Sequence, residues 1–334
     1  MLRTAFARSP QLGLALGLIV LLGGLAAHVA TGLRIDEPEA LYRAFVAFDG
    51  SPAQVMVRTV LLPRALIAAC VGAALAVAGS IMQALTRNPL AAPGLLGINA
   101  GAALLVVVAA ELWQQPSTHA YAGFAFAGAA LGAVLVYGLA ATAGGLTPLK
   151  LTLAGAAIST FLSAVTQGLL VLNEETLDGV RLWLTGSVAG RDAGVLRPLL
   201  PYVGVGLLAA FALGRPLTVL ALGEDVARSL GLRTTWVKTA GAAVVVLLAG
   251  SAVAAAGPVA FVGLFIPHLA RASARADYRR LLPLAAVYGA AFLVLADLAA
   301  RLVIAPLEVP VGIMAAAVGV PFLVHLARTG AQRL

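Results

Sequence analysis

The sequence predicts an all-α, polytopic membrane protein with about ten transmembrane helices. Of its 334 residues, 61% are hydrophobic and only 11% are charged, which is far from the composition of soluble domains. Apolar runs of roughly 20 residues, the length that a helix needs to cross the hydrocarbon, recur along the chain. Abundant Ala, Leu and Gly, with little alternation of β-branched residues, favour helices over a β-barrel.

The apolar runs place the spans in order along the chain. The predicted spans are residues 11–31, 59–86, 94–113, 119–142, 150–172, 193–214, 236–256, 258–271, 281–304 and 309–328. The first run follows Arg3 and Arg8 as a signal peptide would, but it is too long for one, so we predict a true span. Gly257 and Pro258 precede the short eighth run and predict a turn or a re-entrant segment.

The positions of the basic residues predict that both termini are cytoplasmic. With the N-terminus inside, most of the 22 Lys and Arg residues fall on the cytoplasmic side, and short loops carry the bias that sets topology. The stretch ARASARADYRR, residues 270–280, is the clearest contribution. The net charge of +8 is therefore assigned to orientation in the lipid bilayer and not to nucleic-acid binding, because the basic residues do not gather on a soluble face.

A short charged segment, LALGEDVARSLGLR at residues 220–233, lies between the sixth and seventh spans. It predicts a surface helix followed by a turn, because charged residues fall on one side, apolar residues on another and glycines near both ends. These three sets are Glu224, Asp225 and Arg228; Leu222, Val226 and Leu230; and Gly223 and Gly231. A membrane-surface helix and an ordered linker are two interpretations, and a docking element for a cytoplasmic partner is the third.

The predicted spans hold almost no ionisable residue at mid-depth, since Arg64, Asp297 and Arg301 lie near their outer ends. Transporters coupled to protons or sodium usually keep such groups near the midplane, so we predict an energy source outside this chain. The chain lacks a phosphate loop of the GxxxxGK[ST] kind. We predict no catalytic, cofactor-binding or metal site, because His268 has no ligand cluster around it in the sequence and is expected to be structural. Glycine pairs such as Gly128 and Gly132 are interpreted as helix-packing positions.

The segment LLPRALIAACVGAALAVAGSIMQALTRNPLAAPGLLGINAGAAL, residues 61–104, carries a recognisable series of motifs. The series continues through LTLAGAAIS, LWLTGSVAGR, LGEDVARSLGL, GPVAFVGLFIPHLAR, ADLAARLV and EVPVGIMAAAVGVPF. Together they strongly resemble the FecCD family, the permeases of bacterial ABC importers for ferric siderophores, haem and cobalamin. The likeness extends from about residue 58 to 328.

The resemblance implies one transmembrane permease domain over residues 1–334 in the bacterial plasma membrane, with a cytoplasmic coupling segment at about 215–235. The implied partners are two cytoplasmic ATPase subunits, a second permease copy or a sibling, and an extracytoplasmic substrate-binding protein. RNPLAAPGLLGINAGAAL and LDGVRLWLTGSVAGR resemble ferric-siderophore members more than cobalamin members. A haem or cobalamin permease is the alternative within the family, and an ion-coupled secondary transporter is the alternative outside it.

In this family the connection between the sixth and seventh helices forms two short coupling helices in a cleft of the ATPase. The resemblance therefore assigns ATPase coupling to Gly223, Glu224, Asp225, Arg228, Leu230 and Gly231. It also implies that Arg64 and Arg301 receive carboxylates of the binding protein. The alternative is that they snorkel to the interface, with Arg301 paired to Asp297 one turn away. The family often shows Arg-Leu-Pro-Arg where this chain has Leu61-Leu62-Pro63-Arg64, and Arg58 is the candidate substitute for the missing arginine.

The same resemblance suggests residues of the gate and the transport pathway. Asn88 and Leu90, after the second span, and Thr147, before the fifth, would narrow the cytoplasmic exit. The alternative for Asn88 is a simple Asn-Pro turn. A polar stripe on the fifth span would line the pathway or hydrogen-bond between helices. This stripe consists of Ser159, Ser163, Thr166 and Gln167.

Overall fold

The computed structural model describes residues 10–32, 39–113, 118–142, 147–274 and 276–330, and the regular secondary structure in these ranges is entirely helical. Seven helices are long and apolar enough to cross a membrane. The apolar helix Ile98–Leu112 is shorter, and so is the apolar part, Val311–Val324, of the last helix. The prediction of an all-α, polytopic membrane protein is therefore confirmed.

Fourteen helices of the described residues are numbered in chain order. They are α1 (Pro10–Ala30), α2 (Glu39–Val46), α3 (Pro52–Thr86), α4 (Ile98–Leu112), α5 (Thr118–Thr142), α6 (Pro148–Leu172), α7 (Glu174–Leu184), α8 (Ala193–Ala212), α9 (Gly214–Ala221), α10 (Glu224–Ser229), α11 (Thr234–Ala256), α12 (Val262–Ala274), α13 (Tyr278–Leu302) and α14 (Val311–Gly330). A π-helical turn, Val57–Leu61, lies within α3, and a 3₁₀ turn, Pro93–Leu96, precedes α4. Each of the ten predicted spans coincides with one helix, and α2, α7, α9 and α10 lie in the connections.

Helix α3 is the centre of the bundle, because 89% of its most apolar stretch is buried and α11, α12 and α13 pack around it. Glycines allow this close approach. A Cβ atom at Gly72 would meet the backbone of Gly289 on α13, and one at Gly79 would meet the backbone of Gly263 on α12.

Helices α4 and α5 also approach closely through glycines. A Cβ atom at Gly128 or at Gly132 of α5 would meet the backbone of Gly101 or Gly97, respectively. The interpretation of Gly128 and Gly132 as packing positions is therefore confirmed.

Substituting Gly79 with alanine should destabilise the protein by about 1–3 kcal/mol or more, since the added methyl group meets backbone atoms that cannot rotate away. Gly138→Ala on α5 is the matched control, because no atom lies within 4 Å of the added Cβ and alanine favours the helix. Thermal unfolding in detergent measures both variants. Equal unfolding temperatures for the two would contradict this account of the packing.

The predicted break at Gly257 and Pro258 is present. Helix α11 ends at Ala256, and Gly257 has a φ of 72°, which a residue with a side chain rarely adopts. The short helix α12 begins at Val262, and its first turn lies beside Gly79 in the second half of α3. The non-helical segment is mostly enclosed by protein, as irregular backbone at membrane depth must be.

Candidate functional site

The segment that connects the sixth and seventh spans forms two short helices, α9 and α10. Gly223 separates them with a φ of 123°, and Gly231 follows α10 with a φ of 79°. The Leu232 amide donates to the Ala227 carbonyl at 2.9 Å and closes the end of α10. The predicted helix and turn are present, and α9 together with α10 gives this connection the two short helices that the resemblance implies.

An exposed row of apolar side chains runs along this segment. Leu222, Val226 and Leu230 are spaced four residues apart and are 61%, 45% and 65% exposed. Val226 lies on α10, and Leu222 and Leu230 lie just before and just after that helix. Such a row is a surface suited to a partner's groove. We call these three residues the apolar row.

The charged side of α10 fastens the segment to α11. Lys238 Nζ lies 2.6 Å from Glu224 Oε2, and Arg228 Nη2 lies 2.7 Å from Glu224 Oε1. The Thr234 hydroxyl donates to the same carboxylate at 3.3 Å. The hydrogen bond from Lys238 lowers the pKa of Glu224, so the carboxylate is charged at neutral pH. Asp225 is exposed beside this network.

Helix α9 is fastened to the start of α13. The Tyr278 amide donates to the Thr218 hydroxyl at 3.0 Å, and that hydroxyl lies 3.4 Å from Asp277 Oδ1. Arg279 binds Asp277 through two nitrogens and lowers the pKa of that carboxyl group. The two short helices are therefore attached to two different spans.

Lys238 also lines a small crevice together with Thr147 of the predicted gate. Its other walls include Leu151 at the start of α6, Leu85 of α3 and Tyr137 of α5. Thr147 caps α6 by accepting a hydrogen bond from the Lys150 amide at 3.3 Å. The sequence analysis missed Lys238, although a lysine next to a long apolar run is a usable signal.

The remaining predicted gate residues form a turn. The Asn88 side chain accepts a hydrogen bond from the Leu90 amide at 2.9 Å, which is the Asn-Pro turn expected as the alternative. Leu90 itself is half exposed. The gating role of both residues stays a prediction.

The polar stripe on α6 does not share one environment. Gln167 is exposed and Ser159 and Ser163 are partly exposed, whereas Thr166 is only 5% exposed. The Thr166 hydroxyl donates to the Leu162 carbonyl at 2.8 Å within the helix. Gln167 therefore lies on the exposed side of α6, Thr166 faces the interior of the bundle, and the pathway role of the stripe stays a prediction.

At the opposite end of the bundle, Arg64 lies in a buried network. Its Nε and Nη2 atoms donate to the two carboxylate oxygens of Asp297 at 2.8 and 2.9 Å. His28 Nε2 lies 2.6 Å from Asp297 Oδ2, and its ring is fully buried. The network therefore joins α1, α3 and α13.

Arg301 does not form the expected pair with Asp297. Its Nη1 atom donates to the His28 carbonyl at 3.1 Å, and its Nε atom lies 3.8 Å from Glu308. The correction has a simple reason, since Arg64 and His28 already bind the Asp297 carboxylate. The third nitrogen of Arg64, Nη1, lies 3.0 and 2.9 Å from the two oxygens of Glu308.

Arg58, the proposed substitute for a missing family arginine, makes different contacts. Its Nε atom donates to the Ala44 carbonyl at 2.6 Å, and its guanidinium group lies 4.1 Å from the centre of the Phe48 ring. These contacts join α3 to the region of α2. A docking role for Arg58 stays a prediction.

Within the described residues, no three His, Cys, Asp or Glu side chains are arranged to hold a metal ion. His268 is partly buried and packs edge-on against Phe322, with the ring centres 5.6 Å apart. The structural role expected of His268 stays a prediction.

Comparison with known proteins yields one family. A model of the FecCD transport family matches residues 18–329. The chain is 48% identical over 316 residues to the "Probable siderophore transport system permease protein YfiZ" of Bacillus subtilis (strain 168), covering 94% of this chain and 95% of that protein. It is 41% identical over 316 residues to the "Fe(3+)-citrate import system permease protein YfmD" of the same organism, covering 94% of each.

Among solved structures, the chain resembles an inward-facing metal-chelate type ABC transporter. The TM-score is 0.83, the sequence identity is 26%, and the match covers 95% of this chain and 98% of that one.

Proposed function

This chain belongs to the FecCD transport family and is a multi-pass inner-membrane permease subunit of an ABC importer, and on this premise we propose that its cargo is a ferric siderophore. The proposal draws on the names of the relatives, which transport siderophores or ferric citrate. A haem or cobalamin chelate is the alternative cargo. Family membership weighs against the ion-coupled secondary transporter.

The observation that carries the mechanism is the apolar row on and beside α10, in a pair of short helices that are fixed to two spans. Leu222, Val226 and Leu230 would insert into a groove of a cytoplasmic ATPase subunit, burying apolar surface that is otherwise in water. Gly223 and Gly231 set the angle of α10, and Glu224 and Arg228 fix it against α11. Two ATPase subunits would serve a pair of permeases, either two copies of this chain or this chain and a sibling.

Transmission requires elements with discrete arrangements between the ATPase and the pathway. The Glu224–Lys238 ion pair links α10 to α11, and Lys238 reaches the crevice lined by Thr147. Movement of α10 would therefore displace α11 next to the start of α6. Leu90, Asn88 and the exposed side of α6 would form the exit that this movement opens.

At the other end, Arg64 and Arg301 would receive carboxylates of a substrate-binding protein. Arg64 is held in a fixed orientation by Asp297, and such fixed charges set register and speed encounter. The resemblance supports this role.

The ATPase contact is tested by replacing Leu222 and Leu230 together with glutamate. We expect the permease to fold but to lose co-purification of its ATPase subunit, since two charges would enter an apolar groove. Arg181→Glu is the matched control, because it changes the net charge by the same amount on the exposed helix α7 at the opposite end. Retention of the ATPase by the double variant would contradict the assignment of the apolar row.

The cargo is tested by uptake of radiolabelled iron into cells that depend on this permease. Iron bound to a siderophore should be taken up, and an excess of unlabelled ferric siderophore should compete. Uptake of labelled haem or cobalamin in place of iron would overturn the cargo while leaving the permease role intact.

A further inference from the structure

The guanidinium group of Arg64 is divided between two carboxylates in different environments. Nε and Nη2 face Asp297, whose side chain is 2% exposed. Nη1 faces Glu308, whose side chain is 37% exposed. One ion pair is therefore part of the core, and the other lies at the surface.

Glu308 lies in the connection from α13 to α14, which is mostly exposed. Leu302, Val303, Ile304 and Leu307 of this connection are 57%, 61%, 48% and 70% exposed. Arg301 Nε lies 3.8 Å from Glu308 Oε1. Glu308 thus stands between the two arginines to which the docking role is assigned.

We propose that Glu308 occupies the docking arginines until a carboxylate of the substrate-binding protein replaces it. This inference rests on the proposed docking role of Arg64 and Arg301. The partner is identified by its chemistry as an acidic side chain on a lobe of the extracytoplasmic binding protein. The Glu308 pair is the one that exchanges, because its carboxylate is 37% exposed and can be hydrated when it leaves, whereas breaking the buried Asp297 pair would strand a charge.

The replacement of Glu308 by a carboxylate of the binding protein would affect the connection that leads into α14. Glu308 lies just before Val311, where α14 begins, and the Gly312 amide donates to the Gly186 carbonyl at 3.0 Å. Replacement of Glu308 releases one restraint on the connection that enters α14. During this replacement the ion pair with Asp297 keeps the Arg64 guanidinium in place.

The test measures the affinity of the purified binding protein of the same transporter for the permease in nanodiscs. Glu308→Gln removes the competing charge, and we expect about two- to fivefold tighter binding, the range of an exposed ion pair. Glu308→Asp keeps the charge and should bind as the wild type does. Asp178→Asn is the control, because it removes one exposed negative charge on α7, which connects the fifth and sixth spans and so, with a cytoplasmic N-terminus, lies on the same face as the connection from the ninth to the tenth span.

Arg301→Gln distinguishes a failure of the proposed exchange at Glu308 from a failure of the docking role of the arginines. Weaker binding by Arg301→Gln together with tighter binding by Glu308→Gln is the expected result. If Arg301→Gln weakens binding and Glu308→Gln does not tighten it, the exchange is wrong and docking at the arginines stands. If neither variant changes the affinity, the proposed docking role itself fails. If Asp178→Asn tightens binding as much as Glu308→Gln does, the gain in affinity comes from the lower negative charge of the outer surface. That result would also overturn the exchange.

Discussion

Replacing Asp297 with asparagine should lower the free energy of unfolding by about 3–5 kcal/mol, because it removes the buried one of the two carboxylates that pair with the Arg64 guanidinium. The Arg64 side chain is only 8% exposed, so water cannot replace the lost carboxylate. His28 loses the carboxylate beside its ring in the same substitution. We expect poor recovery of folded protein from the membrane and a strongly lowered unfolding temperature in detergent.

Two further variants show whether Asp297→Asn destabilises the protein through the lost ion pair or through the change of side chain itself. Glu308→Gln removes the surface pair of the same arginine and should cost no more than about 1 kcal/mol. Arg64→Met combined with Asp297→Leu removes both buried charges and should recover part of the stability that Asp297→Asn loses. An unfolding temperature for Asp297→Asn equal to that of the wild type would show that the network contributes little.

The fold was predictable because the determining signal is local. Each span is a continuous apolar run, and the break at Gly257 and Pro258 is visible in the adjacent residues. The contacts between spans are not local. His28 and Asp297 are separated by 269 positions, and nothing near either residue specifies the other. Only the folded bundle shows that Arg64 and not Arg301 binds Asp297.

The coupling segment was predictable in part. Alternation of charged and apolar residues located α10 and its exposed side, since Leu222, Val226 and Leu230 are exposed. The predicted bounds of the sixth span, 193–214, left residues 215–221 in the connection, and the family resemblance implied the two short helices, α9 and α10, that lie there. Glu308 lies in the motif EVPVG, and a lone acid beside an apolar span was a signal that the sequence analysis did not use.

Replacing Lys238 with methionine should uncouple ATP hydrolysis from transport. The variant keeps the apolar row, so the ATPase subunit should still co-purify. It loses the 2.6 Å ion pair that fixes Glu224 of α10 to α11. A hydrogen bond between charged groups contributes about 1.5–3 kcal/mol, so transport per ATP hydrolysed should fall roughly tenfold or more.

The measurement compares ATP hydrolysis and iron uptake in the same proteoliposomes. Lys238→Arg keeps the charge and should retain most of the uptake, and exchange of the pair by Glu224→Lys with Lys238→Glu should recover part of it. Arg233→Met is the control, since it removes an exposed cation next to the start of α11. A fall in both hydrolysis and uptake by the same factor would mean that Lys238 only stabilises the assembly. Loss of uptake with hydrolysis maintained places Lys238 between the ATPase and the gate, because an unlinked α10 can still bind the ATPase but cannot move α11.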